Sequence, residues 1–325
     1  MEPDSFRNKT DATNPKHPCY ESSNSSWIFT SDPSITCILG YCVLAFLSIA
    51  TICGNLLVII SVVYFKQLHT PTNYFILSLA FADLLVGLLV FPFSMTFTVT
   101  SCFFDNNFIC KIRDIFDVSL CTSSILHLCC ISIDRYYAVC QPLAYRSKIT
   151  AQVALSMILV CWGIAVVIAI CIIIGGYSQG TCEEMCSVTV ILSNIMGPVL
   201  AFYLPAVIMS CIYLKIFFVA QRQVSSIQIS NSMSKIERKA TKTLAIVMGV
   251  FLLFMSPYFF CVVFQPLFSH PLSIPVIETL NWLTLSNSML NPFIYAFFYN
   301  WFRSAFKMII TGKIFQGNLG DSILI

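Results

Sequence analysis

A carboxylate, Asp117, lies inside the third of seven long apolar runs in this chain. A charged side chain within a membrane helix costs several kcal/mol unless it faces protein, water or a charged partner. Such a residue marks a functional site. A protonated amine is a natural partner, because it forms a charge-assisted hydrogen bond with a carboxylate. The sequence therefore indicates that Asp117 binds a cationic small molecule.

Glu278 is a second carboxylate, placed at the start of the seventh run after Ser273 and Pro275. One interpretation is structural, because an acid near a helix N-terminus contributes about 0.3–1 kcal/mol. The other is a second counter-ion that faces Asp117 across the entrance of the site. A ligand with an amine at each end of an alkyl chain would satisfy both acids, so we expect a flexible diamine such as cadaverine or putrescine.

The seven apolar runs supply the elements that must position these carboxylates. Hydrophobic residues make up 57% of the 325 residues and charged residues 10%, whereas soluble domains average about 25% charged residues. Each run exceeds the roughly 20 residues that a helix needs to cross a bilayer. The sequence therefore predicts an all-α membrane protein built as a seven-transmembrane helix bundle. The runs cover residues 35–65, 72–100, 108–138, 151–175, 189–221, 240–267 and 275–299.

The runs divide the chain into an extracellular tail (1–34), a seven-helix domain (35–300) and a short amphipathic helix with a cytoplasmic tail (301–325). Basic residues of the loops after the first, third and fifth runs, and of the C-terminal tail, fall on one side. By the positive-inside rule that side is cytoplasmic, so we expect a multi-pass plasma-membrane protein with its N-terminus outside. Sequons at Asn8 and Asn24 suit glycosylation of the outer tail, with chance occurrence as the alternative.

Most of the 16 cysteines lie within the apolar runs, where cysteine behaves as a small hydrophobic residue. Only the outer ones face an oxidising compartment, where disulfides form. No cysteine pair has zinc spacing with a second ligand pair nearby. The outer cysteines are Cys19, Cys102, Cys110, Cys182 and Cys186, with Cys37 at the membrane edge.

One helical face of the third run carries Asp117, Cys121, Ser124, Leu128 and Arg135. Eighteen steps of a helix separate Asp117 from Arg135, or roughly 27 Å. The acid therefore lies near the outer end and the arginine at the cytoplasmic boundary. The triplet Asp134-Arg135-Tyr136 is either a snorkelling arginine with a local ion pair or the inner end of a signalling helix.

An ordered set of marks in the runs resembles the rhodopsin-like (class A) G-protein-coupled receptors. It consists of Asn55, Asp83, Asp134-Arg135-Tyr136, Trp162, Pro205, Tyr213, Phe251, Pro257 and Asn291-Pro292-x-x-Tyr295. Two longer strings are similar to the trace amine-associated receptors. They are Lys66-Gln67-Leu68-His69-Thr70-Pro71-Thr72-Asn73 and Asn287-Ser288-x-x-Asn291-Pro292-x-x-Tyr295-x-x-x-Tyr299-x-Trp301-Phe302.

This resemblance implies an amine receptor. Most members of the family are olfactory receptors for volatile amines that signal through a stimulatory G protein, so we expect this chain to act on cyclic AMP. It implies that Asp117 binds the amine and that Tyr258, Phe259 and Trp282 line the pocket, together with Cys121. It also implies roles in activation and coupling for Asp134, Arg135, Tyr136, Tyr213, Glu237, Asn291, Pro292 and Tyr295. Glu237 would pair with Arg135 in the inactive receptor, or contribute little as an exposed charge.

The resemblance further implies two outer disulfides, Cys110–Cys186 and Cys19–Cys182, with Cys102 as the competing partner of Cys19. A buried polar cluster at mid-membrane would bind a sodium ion, since oxygen ligands suit a hard cation. A water-filled hydrogen-bond network is the alternative, and we expect no other cofactor and no nucleic-acid partner. The cluster consists of Asp83, Ser124, Asn287, Ser288 and Asn291.

Several positions depart from the pattern of the family. Met255 stands where relatives have a switch tryptophan, and Leu285 where many amine receptors have a tyrosine. Gly197, Pro198 and Ala201 replace the serines that bind catechol hydroxyls, which would cost about 1–3 kcal/mol for each unpaired hydroxyl. The main alternative is a serotonin- or phenethylamine-type monoamine receptor. A membrane amine transporter would show paired repeats with broken helices, and an enzyme would need a nucleophile–base pair or metal cluster.

Overall fold

The computed structural model describes residues 20–23, 26–29, 35–100, 108–177, 196–226, 232–264, 274–298 and 300–312. Within them, six helices are long and apolar enough to cross a membrane. The seventh, with 25 residues, has spanning length at about 1.5 Å per residue but carries a run of polar side chains. The predicted all-α bundle of seven spans is therefore confirmed.

The first three spans comprise α1 (Ile35–Tyr64), a broken helix, and α4 (Phe108–Cys140). The broken helix consists of α2 (Pro71–Leu85), a π-helical turn (Val86–Val90) and α3 (Phe91–Thr100). Thr70 caps α2 by accepting a hydrogen bond from the Asn73 amide, and Pro71 occupies the first turn. A single 3-10 turn, Lys66–Leu68, joins α1 to α2.

The remaining spans are α6 (Ala151–Tyr177), α7 (Leu204–Ser226), α8 (Ser232–Phe264) and α9 (Ile274–Phe298). A π-helical turn, Val199–Tyr203, precedes α7. Two short helices lie outside the membrane: α5 (Pro142–Lys148) after the third span and α10 (Asn300–Ile310) after the seventh. Phe302 and Ala305 of α10 are buried while Arg303 and Lys307 are exposed, so α10 is the amphipathic helix that the sequence predicts.

An antiparallel hairpin in the N-terminal tail was not expected from the sequence. Strand β1 (Tyr20–Ser23) pairs with β2 (Ser26–Phe29) in a register that sets Tyr20 opposite Phe29. Aromatic and β-branched residues favour strands, and the tail concentrates several of them here. The tail is therefore not uniformly irregular.

Close approach holds the spans together where side chains are small. A Cβ added at Gly54 of α1 would lie 2.9 Å from the Pro292 Cβ of α9. Such a contact is shorter than van der Waals packing allows, so glycine permits the first and seventh spans to touch.

A buried polar chain joins the second, third and fourth spans. His127 Nδ1 lies 2.6 Å from the Ser123 carbonyl, which can only accept, so this nitrogen carries the proton. In the neutral ring Nε2 then accepts from the Ser78 hydroxyl at 2.8 Å. Ser78 in turn accepts from Trp162 Nε1 at 3.0 Å. The His127 N–H, the Ser78 hydroxyl and the Trp162 N–H therefore each have an acceptor, and these hydrogen bonds hold α4 against α2 and α6.

Candidate functional site

Asp117 faces the seventh span near the outer end of α4. The Asn281 amide of α9 donates to its Oδ2 at 3.3 Å. This contact joins residues 164 positions apart and was missed by sequence reasoning, which placed no partner beside Asp117. A neutral amide satisfies one lone pair but adds no positive charge, and the Arg113 guanidinium on α4 offsets only part of the negative charge. The site therefore retains the capacity to bind a cation.

Arg113 lies one turn outward from Asp117 on the same face of α4. Its Nη1 is 3.8 Å from Asp114 Oδ1, and its side chain is 14% exposed. The outer wall of the site thus carries a largely buried cation. An ammonium group placed beside this wall would be repelled, whereas one placed toward α9 would not.

Below Asp117, two sulfur atoms connect the third and sixth spans. Cys121 lies one turn inward on α4, and its thiol contacts Met255 Sδ at 4.0 Å. Met255 is buried, and Phe251 one turn further inward is fully buried. The position that relatives fill with tryptophan is therefore packed directly against the residue beneath the amine site.

Aromatic rings connect the fifth and sixth spans. Phe259 stacks on Phe202 with ring centroids 4.4 Å apart and an interplanar angle of 2°. Phe202 also contacts Phe251 at 6.2 Å, and Tyr258 meets Phe259 edge-on at 5.5 Å. These rings and the Cys121–Met255 pair belong to one packed cluster that joins the third, fifth and sixth spans.

Trp282 lies on the side of α9 that faces the first two spans. It packs against the cluster of Leu44, Val90 and Leu285, and a Cβ at Gly40 would lie 3.7 Å from its ring. The structure thus brings Asp117, Cys121 and Met255 together, while Trp282 and Leu285 line the neighbouring wall between the first, second and seventh spans.

Asp83 stands at the centre of a buried cluster at mid-membrane. Its Oδ2 accepts from Asn291 Nδ2 at 2.8 Å and its Oδ1 from the Ser124 hydroxyl at 3.2 Å. Asn287 and Ser288 are buried nearby on α9. Asn55 donates to the Ser288 carbonyl at 3.1 Å, and its own buried Oδ1 has no hydrogen-bond partner in the described residues.

The Asp83 cluster therefore offers oxygen ligands and one orphaned acceptor. Elsewhere among the described residues, no three His, Cys, Asp or Glu side chains cluster as metal ligands. One carboxylate with hydroxyl and amide oxygens suits a hard cation of single charge better than a divalent one. A buried water can serve the same groups, because it needs two to four polar partners.

Asp134 lies near the C-terminal end of α4, the end predicted to be cytoplasmic, and is completely buried. Its Oδ2 accepts from Arg135 Nε at 2.9 Å and from the Thr72 hydroxyl at 2.7 Å. Its Oδ1 accepts from the Tyr145 hydroxyl of α5 at 2.9 Å. A terminal nitrogen of Arg135 contacts both Asp134 and Thr72. We call these four residues the Asp134 cluster.

Two members of the Asp134 cluster, Thr72 and Tyr145, were missed by sequence reasoning. Burial raises the pKa of the Tyr145 phenol and the Asp134 carboxylate raises it further, so Tyr145 remains a neutral donor at physiological pH. The only available sequence clue is a tyrosine in the short helix that Pro142 opens. The cluster ties the second span, the third span and α5 together around one carboxylate.

Other residues with a predicted role in activation lie on the cytoplasmic halves of the spans. Lys215 of α7 places its ammonium 5.1 Å from the centre of the Tyr136 ring, a cation–π distance. Tyr213 packs against the main core, and Pro292 and Tyr295 are buried in α9.

Several predicted residues lie outside the described part of the chain. They are Asn8, Cys19, Asn24, Cys182 and Cys186, together with the side chains of Cys110, Glu237 and Glu278. The glycosylation sites, both disulfides and the Arg135–Glu237 pair therefore stay predictions.

Comparison with known proteins finds seven-transmembrane receptors at both the family level and the level of individual relatives. Residues 54–295 match the model for the 7 transmembrane receptor (rhodopsin family). The chain is 42% identical over 299 residues to trace amine-associated receptor 1 of Macaca mulatta, covering 85% of this chain and 88% of the relative. It is 38% identical over 321 residues to trace amine-associated receptor 7e of Rattus norvegicus, covering 92% and 90%. With trace amine-associated receptor 9 of Mus musculus it shares 39% over 325 residues, covering 94% and 93%.

Proposed function

Because the chain belongs to the rhodopsin family of seven-transmembrane receptors, within its trace amine-associated branch, we propose that it is an olfactory receptor for an aliphatic diamine. The family already makes it an amine-sensing G-protein-coupled receptor of the plasma membrane and not an enzyme. The observation that supports the finer proposal is the Asp117 carboxylate, which only a neutral amide contacts from α9.

The proposed diamine binds with one ammonium on Asp117 and the other on Glu278. Asn281 contacts Asp117, and Glu278 lies three residues before Asn281, or one helical turn outward on α9. Each charge-assisted hydrogen bond is worth roughly 1.5–3 kcal/mol. The second contact selects by length, because a chain that is too short leaves one ammonium without its carboxylate.

One observation favours a monoamine receptor instead. Arg113 lies one turn outward from Asp117 on α4 and repels any second ammonium on that side. A diamine must therefore direct its far end toward α9. The two candidate ligand classes therefore make different predictions for the role of Glu278.

Glu278→Gln should lower diamine potency about tenfold or more, while monoamines of equal carbon count change less than about twofold. Only the diamine loses a charged contact. Arg113→Gln is the matched control: because the far ammonium is directed toward α9, away from Arg113, diamine and monoamine potencies should change by the same factor. Cyclic-AMP dose–response curves at equal surface expression measure both effects.

If Glu278→Gln lowered diamine and monoamine potency equally, Glu278 would act only as a helix-capping acid and not as a second counter-ion. That result would favour the monoamine receptor. If Arg113→Gln raised diamine potency alone, the second ammonium would lie beside α4 and not toward Glu278.

A sodium ion is proposed for the Asp83 cluster, held by Asp83, Ser124 and the side-chain oxygens of Asn287 and Asn291. The ion would supply positive charge to a completely buried carboxylate. It would favour the described arrangement, in which the second, third and seventh spans converge on Asp83, and so oppose agonist binding.

Replacing sodium by an organic cation of equal ionic strength should therefore raise agonist affinity several-fold. Asp83→Asn should abolish that dependence, because its neutral amide loses the charge that attracts the ion. Equilibrium binding on membranes measures this effect. If agonist affinity did not depend on sodium, the Asp83 cluster would hold water and not a sodium ion.

Coupling to a stimulatory G protein is proposed to require release of Arg135 from the Asp134 cluster. Tyr145→Phe should raise basal cyclic AMP several-fold, because it removes one of the hydrogen bonds to a buried charge, worth about 1.5–3 kcal/mol. Tyr137→Phe, a neighbouring tyrosine outside the cluster, is the matched control. Unchanged or lowered basal output in Tyr145→Phe would show that this bond does not hold the inactive state.

A further inference from the structure

Two thiols face each other between the third and fourth spans, away from the amine site. Cys130 Sγ of α4 lies 3.4 Å from Cys161 Sγ of α6. Both residues are 6% exposed, and both are free cysteines. The adjacent Cys129 points elsewhere, with its thiol 3.7 Å from the Pro205 carbonyl. Neither the amine site nor the Asp134 cluster uses this pair.

The paired thiols line a cavity of about 560 Å³. Met157 also lines it and lies four residues before Cys161, so its thioether occupies the same face of α6. Gln152 and Val153, at the first turn of α6, form one end of the cavity. Val153 and Val160 of its lining are exposed, so the sulfur atoms are reached from the surface of the helix bundle.

We propose that Cys130, Cys161 and Met157 form a binding site for a soft monovalent metal ion, Cu(I). Thiolate and thioether sulfurs are the ligands that select Cu(I). Two metal–sulfur bonds of about 2.3 Å at a tetrahedral angle place the sulfurs about 3.8 Å apart. The observed separation of 3.4 Å needs only a small rotation of the two side chains to reach it.

A monovalent ion can bind here without leaving a net charge. One thiol releases its proton to solvent as one copper–sulfur bond forms, and the other thiol and the thioether bind as neutral donors. The site then has no net charge, which matters in a membrane interior where an isolated charge is costly. Zinc prefers four nitrogen or sulfur ligands, and no third His or Cys joins this pair in the described residues.

The test is a Cu(I) titration of the full-length receptor in lipid nanodiscs, without oxygen and in competition with bicinchoninate. Cys130→Ser and Cys161→Ser should each lower the bound Cu(I) by one equivalent relative to the unmutated receptor. Cys171→Ser, a single exposed cysteine on α6, is the matched control and should bind as much as the unmutated receptor. Met157→Leu keeps the shape of the side chain and should weaken the affinity of that one equivalent about tenfold.

Amine binding to each variant verifies that it folds, because the thiol pair lies outside the amine site. Equal copper stoichiometry in the unmutated receptor and in a folded Cys130→Ser or Cys161→Ser variant would overturn the site. A Zn(II) titration that gives the same one-equivalent difference would overturn the choice of Cu(I). If Cys171→Ser also bound one equivalent of Cu(I) less, exposed thiols in general would bind the copper and the proposed site would be overturned.

Discussion

Replacing Asp117 by alanine should abolish the response to amines, with potency reduced more than about 100-fold, or roughly 2.7 kcal/mol. The ligand loses its charge-assisted contact, and its ammonium is then buried without a counter-ion. The only protein contact described for the carboxylate is the Asn281 amide at 3.3 Å, so folding and surface expression should remain near normal. A cyclic-AMP dose–response with surface labelling measures both quantities.

Asp114→Ala is the matched control for this experiment. Asp114 lies three residues away on the same helix, is 39% exposed and contacts Arg113. Its loss should lower amine potency far less than Asp117→Ala does, because the ligand keeps the Asp117 carboxylate, although Arg113 loses the carboxylate at 3.8 Å. Undiminished potency in Asp117→Ala, or an equal loss in both variants, would refute the role of Asp117 as counter-ion.

Replacing Arg135 by alanine should eliminate agonist-stimulated cyclic AMP while amine binding persists. The arginine lies roughly 27 Å from Asp117 along α4, too far to contact the ligand. In the described state its guanidinium contacts Asp134 and Thr72. Active coupling requires a second packed state in which these contacts break, and the agonist must bind that state more tightly.

Arg146→Ala is the control for Arg135, because Arg146 is a basic residue in the last turn of α5 outside the Asp134 cluster. It should preserve most signalling. Arg135→Lys should lose most of it, since lysine keeps the charge but not the planar fork of donors. Retained signalling in Arg135→Ala would contradict the coupling role, as would loss of amine binding in a receptor that still reaches the surface.

The spans could be predicted from the sequence because each exceeds the apolar length that a bilayer requires. Their ends were less predictable. The sixth run was expected over 240–267, whereas α8 begins at Ser232 and ends at Phe264. Residues 232–239 are polar and continue the helix beyond the apolar stretch, which a count of apolar residues does not detect. The hairpin β1–β2 was missed because the tail was treated as polar.

The contacts between helices could not be predicted from the sequence in the same way. Helical periodicity places Asp117 and Cys121 on one face of α4. It does not reveal that Asn281 and Met255, on other helices, meet that face. Family motifs assigned roles to Asp83 and Arg135. They included Thr72 without giving it a role and did not include Tyr145, although both hydroxyls donate to Asp134.

Met255 is packed into the core at the position where relatives have a tryptophan. Its thioether is unbranched and adaptable, and it is buried against the Cys121 thiol at 4.0 Å. The loss of a tryptophan therefore does not leave a void below Asp117. A movement of the side chains around Asp117 can therefore be passed to the sixth span through two contacts. One is Cys121 against Met255, and the other is the stacked pair Phe202 and Phe259.

The most direct test is a cyclic-AMP dose–response of the unmutated receptor to aliphatic diamines of graded chain length and to monoamines of equal carbon count. Surface expression must be verified in the same cells. The two-carboxylate account predicts that diamines outperform monoamines about tenfold or more. It also predicts a potency maximum at one chain length, where the ammonium groups reach Asp117 and Glu278 together. Monoamines that outperform every diamine, or a flat response to all amines at normal surface expression, would contradict it.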